Sequence, residues 1–260
     1  MPHVVYKPVS MTPLEMVTQF RQEKGIAASV PVGYAGRLDP MAEGLLLLLV
    51  GDENKDRKAY ESMEKEYEFQ ILFGLETDSY DLMGLITDQS NNIQITQEQI
   101  QNALKPFIGT WEQSYPPYSS AAVQGKPLYW WTRQGRLPEI DIPKKSVTVN
   151  RLELKKLHTI SGHQVASKAV KKIPNVQGDF RQDEIIRQFQ LIAAVQNMQS
   201  YLLADCRVVC SSGTYVRGLA HSLGRALKTP ALAYSIKRTR IGEFTVPLQH
   251  KNAYVADSRA

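Results

Sequence analysis

Leu45-Leu46-Leu47-Leu48-Leu49-Val50 is a run of six consecutive apolar residues. It is too short to span a membrane and has the length of a buried strand. Directly before it stands Gly33-Tyr34-Ala35-Gly36-Arg37-Leu38-Asp39-Pro40-Met41-Ala42-Glu43-Gly44, in which two glycines flank an acid. Glycine allows positive φ or close backbone approach. Pro40 fixes its own φ and biases Asp39 towards an extended backbone. An ionisable group on such a turn, beside a buried strand, is held in place as a catalytic carboxylate must be. A loop aspartate that merely caps the backbone has the same residue type, so the turn alone leaves both readings open.

A chain of 260 residues buries a real core and makes either one large domain or two small ones. Its 43% hydrophobic and 22% charged residues are the balance of an ordinary globular protein. The first residues, Met1 to Tyr6, lack the basic and apolar regions of a signal peptide. Two cysteines give no disulfide framework, and a cytoplasmic location is the simplest expectation. Charge is unevenly spread. Residues 41–90 carry four basic against twelve acidic side chains, a net −8. Residues 144–172 carry eight against one, net +7, and residues 205–240 seven against one, net +6. If the basic stretches meet in space they form a field suited to nucleic acid; if not, they are solvated surface.

In chain order, residues 3–8 read as a short strand. A helix follows with Thr12 as N-cap, Pro13 at its first position and Glu15 closing a capping box. Leu14, Val17 and Phe20 are its expected core side, and Gly25 closes it. Residues 51–66 are polar, with Lys55 soon after the strand and a helix within the charged stretch. Alternation places Tyr67, Phe69, Ile71 and Phe73 on one face of a strand ended by Gly74. Residues 74–84 are too rich in turn formers for regular structure. Thr96-Gln97-Glu98-Gln99 is a second capping box.

Residues 114–120 form an extended loop, and a short helix opens near Lys126 and ends at Gly135. Residues 146–158 alternate as a strand. Residues 159–180, basic and punctuated by Gly and Pro, read as a surface excursion, and Asp183–Met198 as a helix. Tyr201–Cys210 is a strand, Ser211-Ser212-Gly213 a turn, and Val216, Leu219, Ala220, Leu223 and Leu227 form a helical stripe. A last strand near Tyr234–Phe244 carries Lys237, Arg238 and Arg240. Strands and helices alternate irregularly, so the expected fold class is α+β, one domain with a mixed sheet.

Cys210-Ser211-Ser212-Gly213-Thr214-Tyr215-Val216-Arg217-Gly218 is the second informative stretch. A strand enters a glycine turn and a helix leaves it, which presents Tyr215 and Arg217 at an anion-favouring helix N-terminus. Arg217 is either a surface ion pair of little energetic weight or the guanidinium that orients Asp39. Cys206 and Cys210 have no paired Cys or His cluster near them, and the five histidines lack metal-ligand spacing. Both cysteines read as ordinary buried residues.

Gly36-Arg37-Leu38-Asp39-Pro40-Met41-Ala42-Glu43-Gly44-Leu45-Leu46 resembles the G-x-L-D-P-x-A-x-G-x-L block of the TruB-type tRNA pseudouridine synthases. Further blocks follow in the family's order. Lys65-Glu66-Tyr67 is similar to its K-x-Y strand, and residues 74–84 to its G-x-x-T-D-x-x-D-x-x-G block. Pro117 to Tyr129 is similar to its P-x-x-S-A-x-x-x-G-x-x-x-Y segment, and residues 212–217 to its S-x-G-T-Y-I-R turn. The blocks cover roughly residues 3–135 and 203–244, and together they are far more specific than any one.

The resemblance implies the pseudouridine synthase fold, a mixed and mostly antiparallel sheet flanked by helices. It implies isomerisation of uridine to pseudouridine, at uridine-55 in the T arm of tRNA, without a cofactor, a metal, a membrane or an obligatory protein partner. By the same analogy Asp39 is the nucleophile, Tyr67 packs on the flipped base and is a candidate base for the C5 proton, and Arg217 pairs with Asp39. Tyr34, Lys55, Tyr215 and Ile236 match residues around the substrate; for Lys55 and Ile236, solvated charge and plain core remain equal alternatives.

Departures are also visible. Tyr34 stands where the family usually has His, and Arg37 gives G-R-L-D, a sequence closer to the ribosomal-RNA branches. The expected organisation is one catalytic domain over 1–250 with a basic excursion at about 159–200, and a short tail at 251–260. The sixteen residues after Phe244 are too few for the family's RNA-binding PUA domain. Rival expectations are another RNA target, or an RNA-binding protein without catalysis on the same scaffold. Retention of Asp39, Tyr67 and Arg217 together argues against the latter.

Overall fold

A computed structural model describes residues 1–90, 93–195 and 200–245. The chain opens with strand β1 (His3–Lys7) and helix α1 (Pro13–Glu23), then β2 (Val32–Ala35), β3 (Ala42–Val50) and α2 (Arg57–Ser62). β4 (Lys65–Phe73) leads into the small strands β5 (Leu75–Thr77) and β6 (Ile86–Gln89), followed by α3 (Gln97–Leu104) and β7 (Gly109–Ser114). Two short strands, β8 (Ala122–Val123) and β9 (Lys126–Pro127), precede α4 (Leu128–Arg133) and the long β10 (Lys144–Ser161). α5 (Gly162–Lys172) and α6 (Gln182–Val195) form a helical hairpin. The described chain closes with β11 (Ser200–Cys210), α7 (Val216–Ala226), β12 (Ala231–Ile241) and β13 (Phe244–Thr245).

Nine strands form one sheet in the order β1-β3-β12-β4-β11-β10-β7, with β2 added on β3 and β13 on β12. All its pairings are antiparallel except β3 with β12. The sheet is therefore mixed and mainly antiparallel, as the resemblance implies. The two basic stretches, 144–172 and 205–240, come together where β10 pairs with β11, from Val149↔Cys210 to Ser161↔Ser200.

The strand alternation sorts side chains to two faces. Tyr67, Phe69, Ile71 and Phe73 join Val216, Leu219, Ala220 and Leu223 of α7, with Ile100 and Leu104 of α3, in one core. Leu72, Leu203, Tyr201 and Leu232 face the other way, against Val165, Ala166 and Ala169 of α5 and Ile185 and Phe189 of α6. Leu45 to Leu49 are fully buried.

Three expectations change. The segment 159–180 is no surface excursion: β10 runs on to Ser161, which caps α5 with a capping box, and the apolar stripe of α5 covers one face of the sheet. The lysines of α5 masked that stripe in the sequence. Within residues 74–84, Leu75–Thr77 pairs with β6 as a small hairpin. In α1 the buried positions are Pro13, Met16, Val17 and Phe20, while Leu14 is 68% exposed. Leu14 is also three residues from Val17, so the spacing admitted it, but it falls on the next face round. The expected helix to Met198 is described as far as Val195, and its last three residues lie outside the described residues.

Candidate active site

Asp39 sits on the turn between β2 and β3, and its neighbours are gripped by two buried cations. The ammonium of Lys7, a fully buried residue, donates to the carbonyls of Pro8 (2.9 Å), Met11 (2.6 Å) and Pro40 (3.3 Å). Arg238, 1% exposed on β12, donates to Leu45 O (2.8 Å), Arg37 O (3.3 Å) and Gly36 O (3.1 Å). Buried basic groups that donate to carbonyls hold a backbone rigidly, because breaking such a bond strands a desolvated donor. Within the turn, Ala42 N–H donates to Asp39 O at 3.0 Å.

From the opposite side comes Arg217, in the first turn of α7 and 3% exposed. Its Nε donates to Asp39 Oδ2 at 2.7 Å. Its Nη1 donates to Ser79 O and its Nη2 to Tyr118 O, each at 2.8 Å. Burial works against the Arg217 charge, but Asp39 and Asp81 outweigh it and raise its pKa above the ordinary value. Asp81 is itself pushed up by burial, although Ser79 and the Met83 N–H donate to its carboxylate. Asp39 keeps 29% of its side chain exposed. The aspartate is thus oriented by a guanidinium whose three nitrogens each hold an oxygen, and it is still open to a ligand.

Asp39 lies where two depressions meet. A cleft of about 1030 Å³ runs along α1 past Leu14, Tyr34, Tyr118 and Phe180. A smaller cavity of about 460 Å³ is lined by Tyr67, Lys65, Ile236, Arg238, Lys145 and Gly213, among others. Arg37, Asp39 and Tyr215 line both. The β4–β12 register sets Tyr67 opposite Arg238. Burial raises the Tyr67 phenol above its ordinary pKa, with nearby Arg238 opposing. Tyr215 stands just before α7, its backbone clamped by buried Gln113, which accepts from Tyr215 N–H (2.8 Å) and donates to Tyr215 O (3.0 Å). Its ring meets Tyr115 edge-on at 5.6 Å.

Asp39, Arg217, Tyr67, Tyr215 and Ile236 are therefore brought together, with Tyr34 farther along the larger cleft under the guanidinium of Arg57 (5.5 Å). Lys55 is not. It lies in a turn of 3₁₀ helix after β3, pairs with Asp52 at 2.7 Å, and is 76% exposed. Lys65 and Lys58 line the smaller cavity instead. Sequence reasoning also missed the grips of Lys7 and Arg238 and the carbonyls of Ser79 and Tyr118. The one signal was a charged residue inside an apolar strand pattern, as at Arg238. Among the described residues no cluster of three or more His, Cys, Asp or Glu could hold a metal ion.

Known proteins resemble this chain in sequence and in fold. The description "TruB family pseudouridylate synthase (N terminal domain)" matches residues 24–170. A protein of Parabacteroides distasonis named tRNA pseudouridine synthase B is 30% identical over 93% of this chain and 86% of its own. One of Caldanaerobacter subterraneus with the same name is 30% identical over 98% and 74%. Among solved structures, the chain superposes with a TM-score of 0.55 on a chain of a Cbf5-Nop10-Gar1 complex, at 19% identity, covering 94% of this chain. A second likeness, TM-score 0.53 and 18% identity, is to a structure titled as an H/ACA RNP bound to a substrate RNA. This chain spans about half the length of those solved chains, and the likeness speaks to fold alone. That fold is the pseudouridine synthase fold. The chain belongs to the TruB family of pseudouridylate synthases, isomerases that convert uridine to pseudouridine.

Proposed function

We propose that this chain acts on tRNA at uridine-55 of the T arm, with Asp39 as the nucleophile. The observation that carries the reading is the Arg217–Asp39 pair at 2.7 Å, set at the junction of the two depressions. The names of the relatives point to tRNA. A uridine inside folded RNA has to leave its stack before its base can be attacked. The smaller cavity, with Tyr67 and Ile236 in its wall, would take the extruded base, and the larger cleft the strand that carries it. Asp39 then adds to the base or the sugar as the N1–C1′ bond breaks. The uracil turns, its C5 bonds to C1′, the bond to Asp39 breaks and frees the carboxylate, and the C5 proton leaves while N1 gains one.

In that sequence Arg217 keeps Asp39 ionised and aimed. Tyr67 stacks on the base, and its phenolate form, which burial disfavours and the Arg238 cation beside it favours, is the candidate acceptor of the C5 proton. Arg37 and Lys145 supply positive charge for phosphates. The test is release of tritium from tRNA transcripts labelled at C5 of uridine, with and without uridine-55 replaced by cytidine. Release that disappears with the replacement supports the target. Release that ignores it means another uridine, and none at all beside tight tRNA binding favours a binding protein.

A further inference from the structure

The hairpin α5–α6 does more than cover the sheet. Its connection descends to the larger cleft and ends at Arg181, the residue before α6. Arg181 has φ of +63°, a left-handed backbone unusual for a side chain of this size. The connection is stapled in that shape: Gln182 Nε2 donates to Val176 O (2.9 Å) and Gly178 O (2.6 Å), and Arg133 of α4 pairs with Asp179. So presented, Arg181 donates from Nη1 to Asp78 Oδ2 (2.7 Å) and from Nη2 to Asp78 Oδ1 (3.2 Å). The same guanidinium lies 4.5 Å from the centre of the Tyr118 ring, and the Tyr118 hydroxyl donates to Asp78 Oδ2 at 3.3 Å.

These partners sit beside the active site. Asp78 precedes Ser79, and the carbonyls of Ser79 and Tyr118 are the two that hold Arg217. Arg181 thus ties together the two segments from which Arg217 is hung. We propose that Arg181 is a positioning residue for catalysis. By fixing Asp78 and Tyr118 it sets the angle at which Arg217 meets Asp39, so the α5–α6 hairpin is part of the catalytic apparatus. The inference rests on the assignment of Asp39 as nucleophile. A forked, planar contact to a carboxylate combined with stacking on a ring is a geometry arginine supplies and lysine does not.

The experiment measures single-turnover pseudouridine formation at saturating tRNA, the tRNA dissociation constant and the thermal midpoint. The proteins are the wild type, Arg181→Ala, Arg181→Lys, Asp78→Asn and the Arg181→Ala/Asp78→Asn double variant. Misplacing a catalytic group slightly costs rate steeply, so Arg181→Ala is expected to lose about 10- to 100-fold in rate with tRNA affinity kept. Lysine should restore little of it, and the double variant should be no slower than Asp78→Asn alone. A rate for Arg181→Ala within twofold of wild type overturns the inference, as does a loss confined to tRNA affinity, which would make Arg181 an RNA contact. If Arg181→Ala does not fold, Arg181→Lys carries the same test, and full activity there overturns it. Wild-type protein that forms no pseudouridine would remove the Asp39 reading and this inference together.

Discussion

Arg217 approaches Asp39 side-on through Nε at 2.7 Å, and its two remaining nitrogens each donate to a backbone carbonyl. All three nitrogens of the planar fork thus hold an oxygen in a fixed geometry, which lysine cannot imitate. Arg217→Lys is expected to reduce the rate of pseudouridine formation by about 100-fold or more, the loss typical of one preorganised donor. Binding of tRNA should change little, because Arg217 is 3% exposed and offers RNA almost no surface; the check is a filter-binding titration beside a quenched single-turnover assay.

Gly44 is the residue through which β3 reaches its parallel neighbour. It pairs with Arg238, has φ of +115°, and a Cβ there would lie 2.2 Å from the Arg238 carbonyl oxygen. Gly44→Ala must move either β12 or the Asp39 turn. We expect a loss of about 2 kcal/mol or more in stability together with a fall in activity. Urea unfolding decides: a midpoint equal to that of wild type would show that the two strands can part without cost.

Stability should rise as the solution becomes more alkaline than neutral. Burial pulls Lys7 down to about 7, against the attraction of Asp39, and burial with Arg238 pulls Lys65 down to about 8. The unfolded chain then binds more protons than the folded one between about pH 7 and pH 10, and stability increases with pH across that window. Above it the slope reverses, because burial holds Tyr118, Tyr201 and Tyr234 up to about 12, so the folded state keeps protons the unfolded chain has lost. Unfolding free energies measured across this range should show a maximum near about pH 10. A monotonic fall from neutrality would contradict the placement of the lysines.

Lys55 offers the opposite kind of prediction. Exposed and paired only with Asp52, it should be replaceable by alanine with stability within about 0.5 kcal/mol of wild type and turnover unchanged. A large loss of turnover with unchanged stability would mean that RNA draws this turn into the site.

How far the sequence discloses the molecule follows from what each residue depends on. Thr12, Thr96 and the alternation of β4 are set by neighbours three or four places away, and each was legible. The Asp39 turn was legible because glycine and proline write backbone shape into local sequence. The partnership of Asp39 with Arg217 spans 178 residues, and the resemblance carried it where spacing could not. Lys7 and Arg238 looked like ordinary basic residues because their work is done by buried backbone carbonyls, which leave no mark on composition. The face covered by α5 stayed hidden because Val165, Ala166 and Ala169 are few, small and set among lysines.

The most direct measurement is pseudouridine formation by Asp39→Asn under single-turnover conditions, with tRNA affinity measured on the same protein. Asparagine keeps the size and much of the hydrogen bonding of the side chain but cannot act as the nucleophile. The account predicts that product formation disappears while tRNA binds as it does to the wild type. Pseudouridine formed by Asp39→Asn at a rate near that of the wild type would contradict it.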